Sequence, residues 1–186
     1  MQRILLGVVL ALAVVTAQAS ELGISAQDTY AKVQQKNSKV LFIDVRDPVV
    51  IMFVGSTDAT HANIPFLLVN RTKFNEERNI FALEKNENFV AQVKAELAKR
   101  GLNEDAEVIT MCRSGSERGE PSAKVLRDAG LKNARFVVNG FQGDAIKEGK
   151  QAGKRLKNGW QNSGLPWGNK INPNKIYRLD KYPTFK

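Results

Sequence analysis

The stretch Glu107-Val-Ile-Thr-Met-Cys112-Arg-Ser-Gly-Ser-Glu-Arg118-Gly-Glu-Pro-Ser-Ala-Lys-Val-Leu-Arg-Asp-Ala129 carries a strand, a loop and a helix in sequence. Glu107–Met111 is a short, mostly apolar run expected to be a buried strand, and it delivers Cys112 at its C-terminal end. Residues 121–129 read as a helix, with Pro121 in the first turn and Gly130 just past the last residue. Parallel α/β sheets bind ligands beyond the carboxyl ends of their strands, so the thiol is expected where a ligand would sit.

Working outward, Val40-Leu-Phe-Ile-Asp-Val45 is an apolar run of the kind expected of a strand buried on both faces. Asn63-Ile-Pro-Phe-Leu-Leu-Val69 reads as a second, with Pro65 near its start where a missing amide is tolerated. Residues 135–138 predict a fourth strand, ending at Asn139-Gly140. Residues 86–100 place Phe89, Val90, Val93 and Leu97 on one helical face, and Gly101 stops them. Ser25-Ala-Gln-Asp28 has capping-box-like spacing and opens a helix ending near Asn37. Strands separated by helices predict an α/β domain whose central sheet is mainly parallel and flanked by helices. After Gly143 the periodicity fades, and Trp160 and Trp167 are expected to pin the segment back onto the domain.

Residues 1–19 read as a secretory signal peptide: Arg3 gives a positive start, an apolar stretch follows, and Ala17-Gln-Ala19 offers a cleavage site. The stretch is shorter than the roughly 20 residues needed to span a bilayer, so a periplasmic or secreted product with no membrane span after cleavage is expected. Residues 20–168 then form one domain and residues 169–186 a basic tail. Cys112 is the only cysteine, which rules out an internal disulfide. With one histidine besides, neither a zinc site nor a Cys-His protease has support, and no cofactor or metal is expected. From Lys147 onward ten Lys or Arg face only Glu148 and Asp180, so the formal charge of +9 belongs largely to the C-terminal quarter. Such a segment can draw in anions, an acidic partner or a membrane surface, although a charge run is more often a solvated face. Export and the absence of a recognition motif argue against nucleic acid.

The loop has a chemical logic of its own. Its backbone amides can curl into an anion-holding nest at the positive end of the following helix, where a thiolate or persulfide is favoured over its protonated form. Ser114, Gly115, Ser116 and Gly119 are small enough for backbone to approach a sulfur closely. Arg113 and Arg118 supply charge for an anionic substrate. The plain alternative is a structural cysteine followed by an ordinary polar turn.

The order strand, Cys112-Arg113-Ser114-Gly115, helix resembles the active-site loop of rhodanese-like sulfurtransferases. The resemblance extends to Phe42-Ile-Asp44-Val-Arg46-Asp-Pro48, Asn63-Ile-Pro65, Val137-Val-Asn-Gly140-Phe141 and Gly164-Leu-Pro166. It implies a three-layer rhodanese-like domain in which Cys112 carries sulfur as a persulfide. The loop residues Arg113, Ser114, Gly115, Ser116, Glu117, Arg118 and Gly119 would bind the donor, and Asp44 and Arg46 would give structural support. Thiosulfate or a related small anion is the implied donor, with a thiol or cyanide as acceptor; an acidic or redox protein partner is an expectation from the charge of the basic tail alone.

Two departures bear on substrate. Five residues separate Cys112 from Arg118 where common rhodaneses have four, a spacing that resembles related phosphatases and arsenate reductases. Against an oxyanion, Glu117 places a carboxylate in the loop and Met111 stands where the phosphatase motif usually has histidine. The alternatives are a cysteine-dependent phosphatase or arsenate reductase, and a non-enzymatic sulfur carrier or binding module whose basic tail docks a partner. His61 is expected to be a loop residue rather than a base.

Overall fold

The computed structural model describes residues 22–180, and both the signal-peptide reading and the final residues of the tail fall outside them. In chain order the elements are β1 (Gly23–Ile24), α1 (Ala26–Gln34), β2 (Val40–Asp44), α2 (Pro48–Val54), β3 (Ala62–Asn63), β4 (Leu67–Asn75), β5 (Ile80–Lys85), α3 (Phe89–Lys99), β6 (Glu107–Met111), α4 (Gly119–Asp128) and β7 (Ala134–Val137). A single turn of 3-10 helix follows at Trp160–Asn162.

Five strands form one parallel sheet in the order β1-β7-β6-β2-β3. Alternation along the central strands divides the core in two. Leu41, Ile43 and Val108 face the layer of Phe89, Val93 and Leu97 on α3 and Ala123 and Leu126 on α4. Val40, Phe42, Ile109 and Met111 face α1 and the returning C-terminal segment, where Trp160 is fully buried. Successive side chains of a strand point to opposite faces, so an apolar run without alternation is what a sheet covered on both sides requires. The architecture is the three-layer α/β domain with a helix-flanked parallel sheet that the sequence predicts.

Local chemistry sets the helix starts. Ser25 caps α1, its Oγ accepting from the Asp28 amide at 3.0 Å. Asp47 caps α2, accepting from the Val49 amide at 2.8 Å with Pro48 at the first helical position. α4 begins two residues before Pro121, so Gly119 and Glu120 join its first turn.

One element differs from its sequence reading. Of residues 63–69 only Asn63 belongs to the sheet, in the two-residue β3 that ends there. The Ile64 and Phe66 amides still reach Asp44 and Val45 carbonyls on β2, but Pro65 between them has no donor and the chain peels away. Leu67 onward instead pairs antiparallel with β5 in a separate hairpin whose outer half is exposed on both faces. β3 is the sheet's last strand, and its edge is covered by the tail. The Asn63 amide donates to the Lys175 carbonyl at 2.7 Å, and Asn63 Oδ1 accepts from the Tyr177 amide at 3.1 Å. Among the described residues no helix is long and apolar enough to cross a membrane.

Candidate active site

Register brings the site together. Asp44 on β2 lies opposite Met111 on β6, so Arg46, two residues past Asp44, and Cys112, one past Met111, leave the sheet side by side. The Val45 amide makes the last rung, donating to the Met111 carbonyl at 2.9 Å. Thr110, fully buried, donates its hydroxyl to the Gly119 carbonyl at 3.0 Å and ties the start of α4 back to the strand that delivers the thiol.

The loop between them curls around sulfur. The Gly115 amide points at Cys112 Sγ, 3.2 Å away. Gly115 has φ +90, a conformation that favours glycine, and its carbonyl accepts from the Glu120 amide at 2.9 Å. The amides of Arg113, Ser114, Ser116, Glu117, Arg118 and Gly119 donate to no acceptor among the described residues. A run of backbone donors without protein acceptors, at the positive end of a helix, suits an anion. Cys112 itself is fully buried, with Gly119 packed so close that a β-carbon there would stand 3.4 Å from Sγ.

A second turn braces the loop from outside. The Phe141 amide donates to the Cys112 carbonyl and the Gln142 amide to the Arg113 carbonyl, both at 2.8 Å. Gly140, at φ +56, crosses so tightly that a β-carbon would meet the Gly115 amide nitrogen at 2.8 Å.

Four guanidinium groups surround this frame. Arg46 is fully buried and grips Asp44 through Nε and Nη2, the latter also donating to the Gly55 carbonyl, while its plane covers the Phe141 ring at 4.2 Å. Arg46 Nη1 and Arg118 Nε are buried without a hydrogen-bond partner among the described residues. Arg113 donates to Gln142 Oε1 at 2.7 Å. Its acidity is raised first by burial and then by the charges of Arg155, Arg118 and Arg46, which places all four in one electrostatic neighbourhood. Two buried cationic nitrogens in want of an acceptor, beside a ring of amides in the same condition, call for a small anion.

Ser114 and Ser116 stand with their hydroxyls 3.3 Å apart and line an open cleft with Lys147, Arg155 and Lys157. Glu117 turns outward: its carboxylate meets Arg78 from the tip of the β4–β5 hairpin at 2.6 Å. Met111 is buried on the opposite face of the sheet, against the layer holding Trp160. His61 takes no part. Its Nδ1 accepts from the Phe42 amide at 3.0 Å, and burial, then Arg100 and Lys175, push it down to about 4, so the ring is neutral. The sequence reading did not include Arg155 or Arg78, since neither lies near Cys112 in the chain.

No family model and no curated protein matches this chain. Among solved structures, Rv0390 from M. tuberculosis shares the fold, with a TM-score of 0.58 at 25% identity, covering 80% of this chain and 97% of that one. A rhodanese-related protein from Thermoplasma volcanium aligns more loosely, with a TM-score of 0.44 at 20% identity over 80% of this chain and 98% of that one.

Proposed function

We propose that this chain is a rhodanese-type sulfurtransferase working through Cys112. The observation that carries the reading is the Gly115 amide donating to Cys112 Sγ within a loop whose other amides have no acceptor among the described residues, in one electrostatic neighbourhood with Arg46 and Arg118, each of which has a buried nitrogen without a hydrogen-bond partner among those residues. In the first step the Cys112 thiolate attacks the outer sulfur of thiosulfate. The sulfur–sulfur bond breaks, sulfite leaves with the bonding pair, and a persulfide anion remains on Cys112. The amides of the loop receive the charge of that terminal sulfur, and Arg118 and Arg113 hold the donor's sulfonate while the bond breaks. In the second step a thiol or cyanide attacks the terminal sulfur, takes it, and releases the Cys112 thiolate. The two half-reactions balance without an external oxidant.

As an exported protein the enzyme would meet donor and acceptor outside the cytoplasm, and the basic segment after Gly143 would attract an acidic or redox partner. With one cysteine in the chain, any persulfide must be discharged to an external acceptor.

The five-residue spacing to Arg118 favours a second reading, a phosphatase or arsenate reductase, because a wider loop accommodates a tetrahedral oxyanion. The full enclosure of sulfur supports the transfer of a single sulfur atom instead. Mass spectrometry of the intact protein after thiosulfate treatment tests this: one added sulfur atom, lost on adding cyanide with thiocyanate appearing, is expected. Undiminished thiosulfate:cyanide turnover in Cys112→Ser, or turnover of an aryl phosphate or arsenate in place of thiosulfate, would overturn it. A persulfide that forms but passes to no small acceptor would mark a carrier.

A further inference from the structure

The β4–β5 hairpin stands apart from the main sheet, and among the described residues its outer part, residues 71–82, meets residues outside the hairpin by one polar contact, the Arg78–Glu117 ion pair. That contact falls on the cysteine loop itself, one residue before Arg118. Arg78 Nη2 holds Glu117 Oε1 at 2.6 Å, while Glu117 Oε2 faces Arg118 Nε at 3.9 Å. Two cations therefore compete for one carboxylate, and the outer one holds it. The inner one, buried, is left with an Nε that has no hydrogen-bond acceptor among the described residues.

The geometry points to Arg78 as a positioning residue for the cysteine loop: by engaging Glu117 it keeps a carboxylate out of the anion cradle and leaves Arg118 for the incoming donor. This rests on the reading of the cradle as the donor's site. Without Arg78, Arg118 is the remaining cation paired with Glu117. A turn of the Glu117 side chain would bring the carboxylate onto Nε, where it would occupy the donor's partner and repel the donor's charge. The Arg78–Glu117 pair is half exposed, so the bias it exerts is modest and weakens with salt. It also gives a reason for the hairpin, which contributes no strand to the sheet yet delivers a cation to the rim of the site.

A double-mutant cycle on the full protein tests the assignment, with KM and kcat for thiosulfate measured under saturating cyanide. Arg78→Gln should raise KM about fivefold at low salt, a change equal to about 1 kcal/mol, with kcat within twofold. Arg78→Lys should keep most of the wild-type KM, and Glu117→Gln should lower KM. The deciding variant is Arg78→Gln/Glu117→Gln, in which the low KM should return because no carboxylate is left to fall into the cradle. A double variant that keeps the raised KM would show that Arg78 merely props the hairpin and overturn the proposal, as would an unchanged KM in Arg78→Gln. If wild-type protein takes no sulfur from thiosulfate, the sulfur-transfer reading fails by itself. The same cycle is then read as calorimetric affinity for sulfate, and the same order of the four variants is required.

Discussion

Arg46 Nη2 lies 2.5 Å from Asp44 Oδ2, and neither side chain of this pair exposes more than 2% of its surface. The pair joins the end of β2 to the Gly55 carbonyl and presents the guanidinium plane to Phe141, whose amide holds the Cys112 carbonyl. Asp44→Asn would leave a buried charge without its counterion, at a cost of about 3–5 kcal/mol. Thermal unfolding should shift down by roughly 10 °C for a domain of this size, measured by circular dichroism.

Arg118 is expected to act on the donor rather than on the fold. Its Nε has no hydrogen-bond partner among the described residues to lose, so Arg118→Ala should keep the unfolding midpoint within a few degrees. Removing one preorganised donor from developing charge costs about 100-fold or more in rate. The corresponding fall in kcat/KM for thiosulfate, by steady-state kinetics, is the expected outcome.

Gly140→Ala attacks the same loop from behind. The position combines φ +56 with backbone of Cys112, Arg113 and Gly115 inside the space of a β-carbon. Left-handed conformation alone costs about 1–2 kcal/mol for alanine, and the close approach adds to it. Persulfide formation should fall more steeply than stability, since the brace must shift away from the cysteine loop to make room.

His61 makes stability depend on acid. In the unfolded chain the ring titrates near 6.5, whereas in the fold it is held down to about 4, so between these values the unfolded state binds the proton that the folded state refuses. The contribution is complete above pH 6.5 and is lost as pH falls toward 4. Solvent screening of a partly exposed ring limits it to about 1–2 kcal/mol. His61→Phe should flatten that limb of a pH–stability curve and lower its neutral plateau, because the Phe42 amide loses its acceptor.

The β6–loop–α4 unit was legible because each signal in it is local: an apolar strand, small loop residues, a proline in the first turn. β2 was legible for the same reason. The β4–β5 hairpin was not, because its outer half is exposed on both faces and shows no alternation; its Phe74 and Phe81 pack edge to face across the strands. α2 was hidden by β-branched Val49, Val50 and Ile51, which favour a strand until the Asp47 cap is counted. Arg46 was readable only as structural support. Its approach to the cysteine loop depends on the pairing of β2 with β6, and single-strand periodicity cannot reveal which strands are neighbours.

The tail that covers β3 has a bearing on solubility. The open edge of a sheet is a template on which another chain can extend the ladder, and such edges seed aggregates. Here the Lys175 carbonyl takes the outward amide of Asn63, and the Tyr177 amide takes its side-chain oxygen, so the molecule's own chain lies along the edge. The basic C-terminal segment thus serves as a guard strip as well as a source of charge, and its loss would expose the domain to self-association before it touched the thiol.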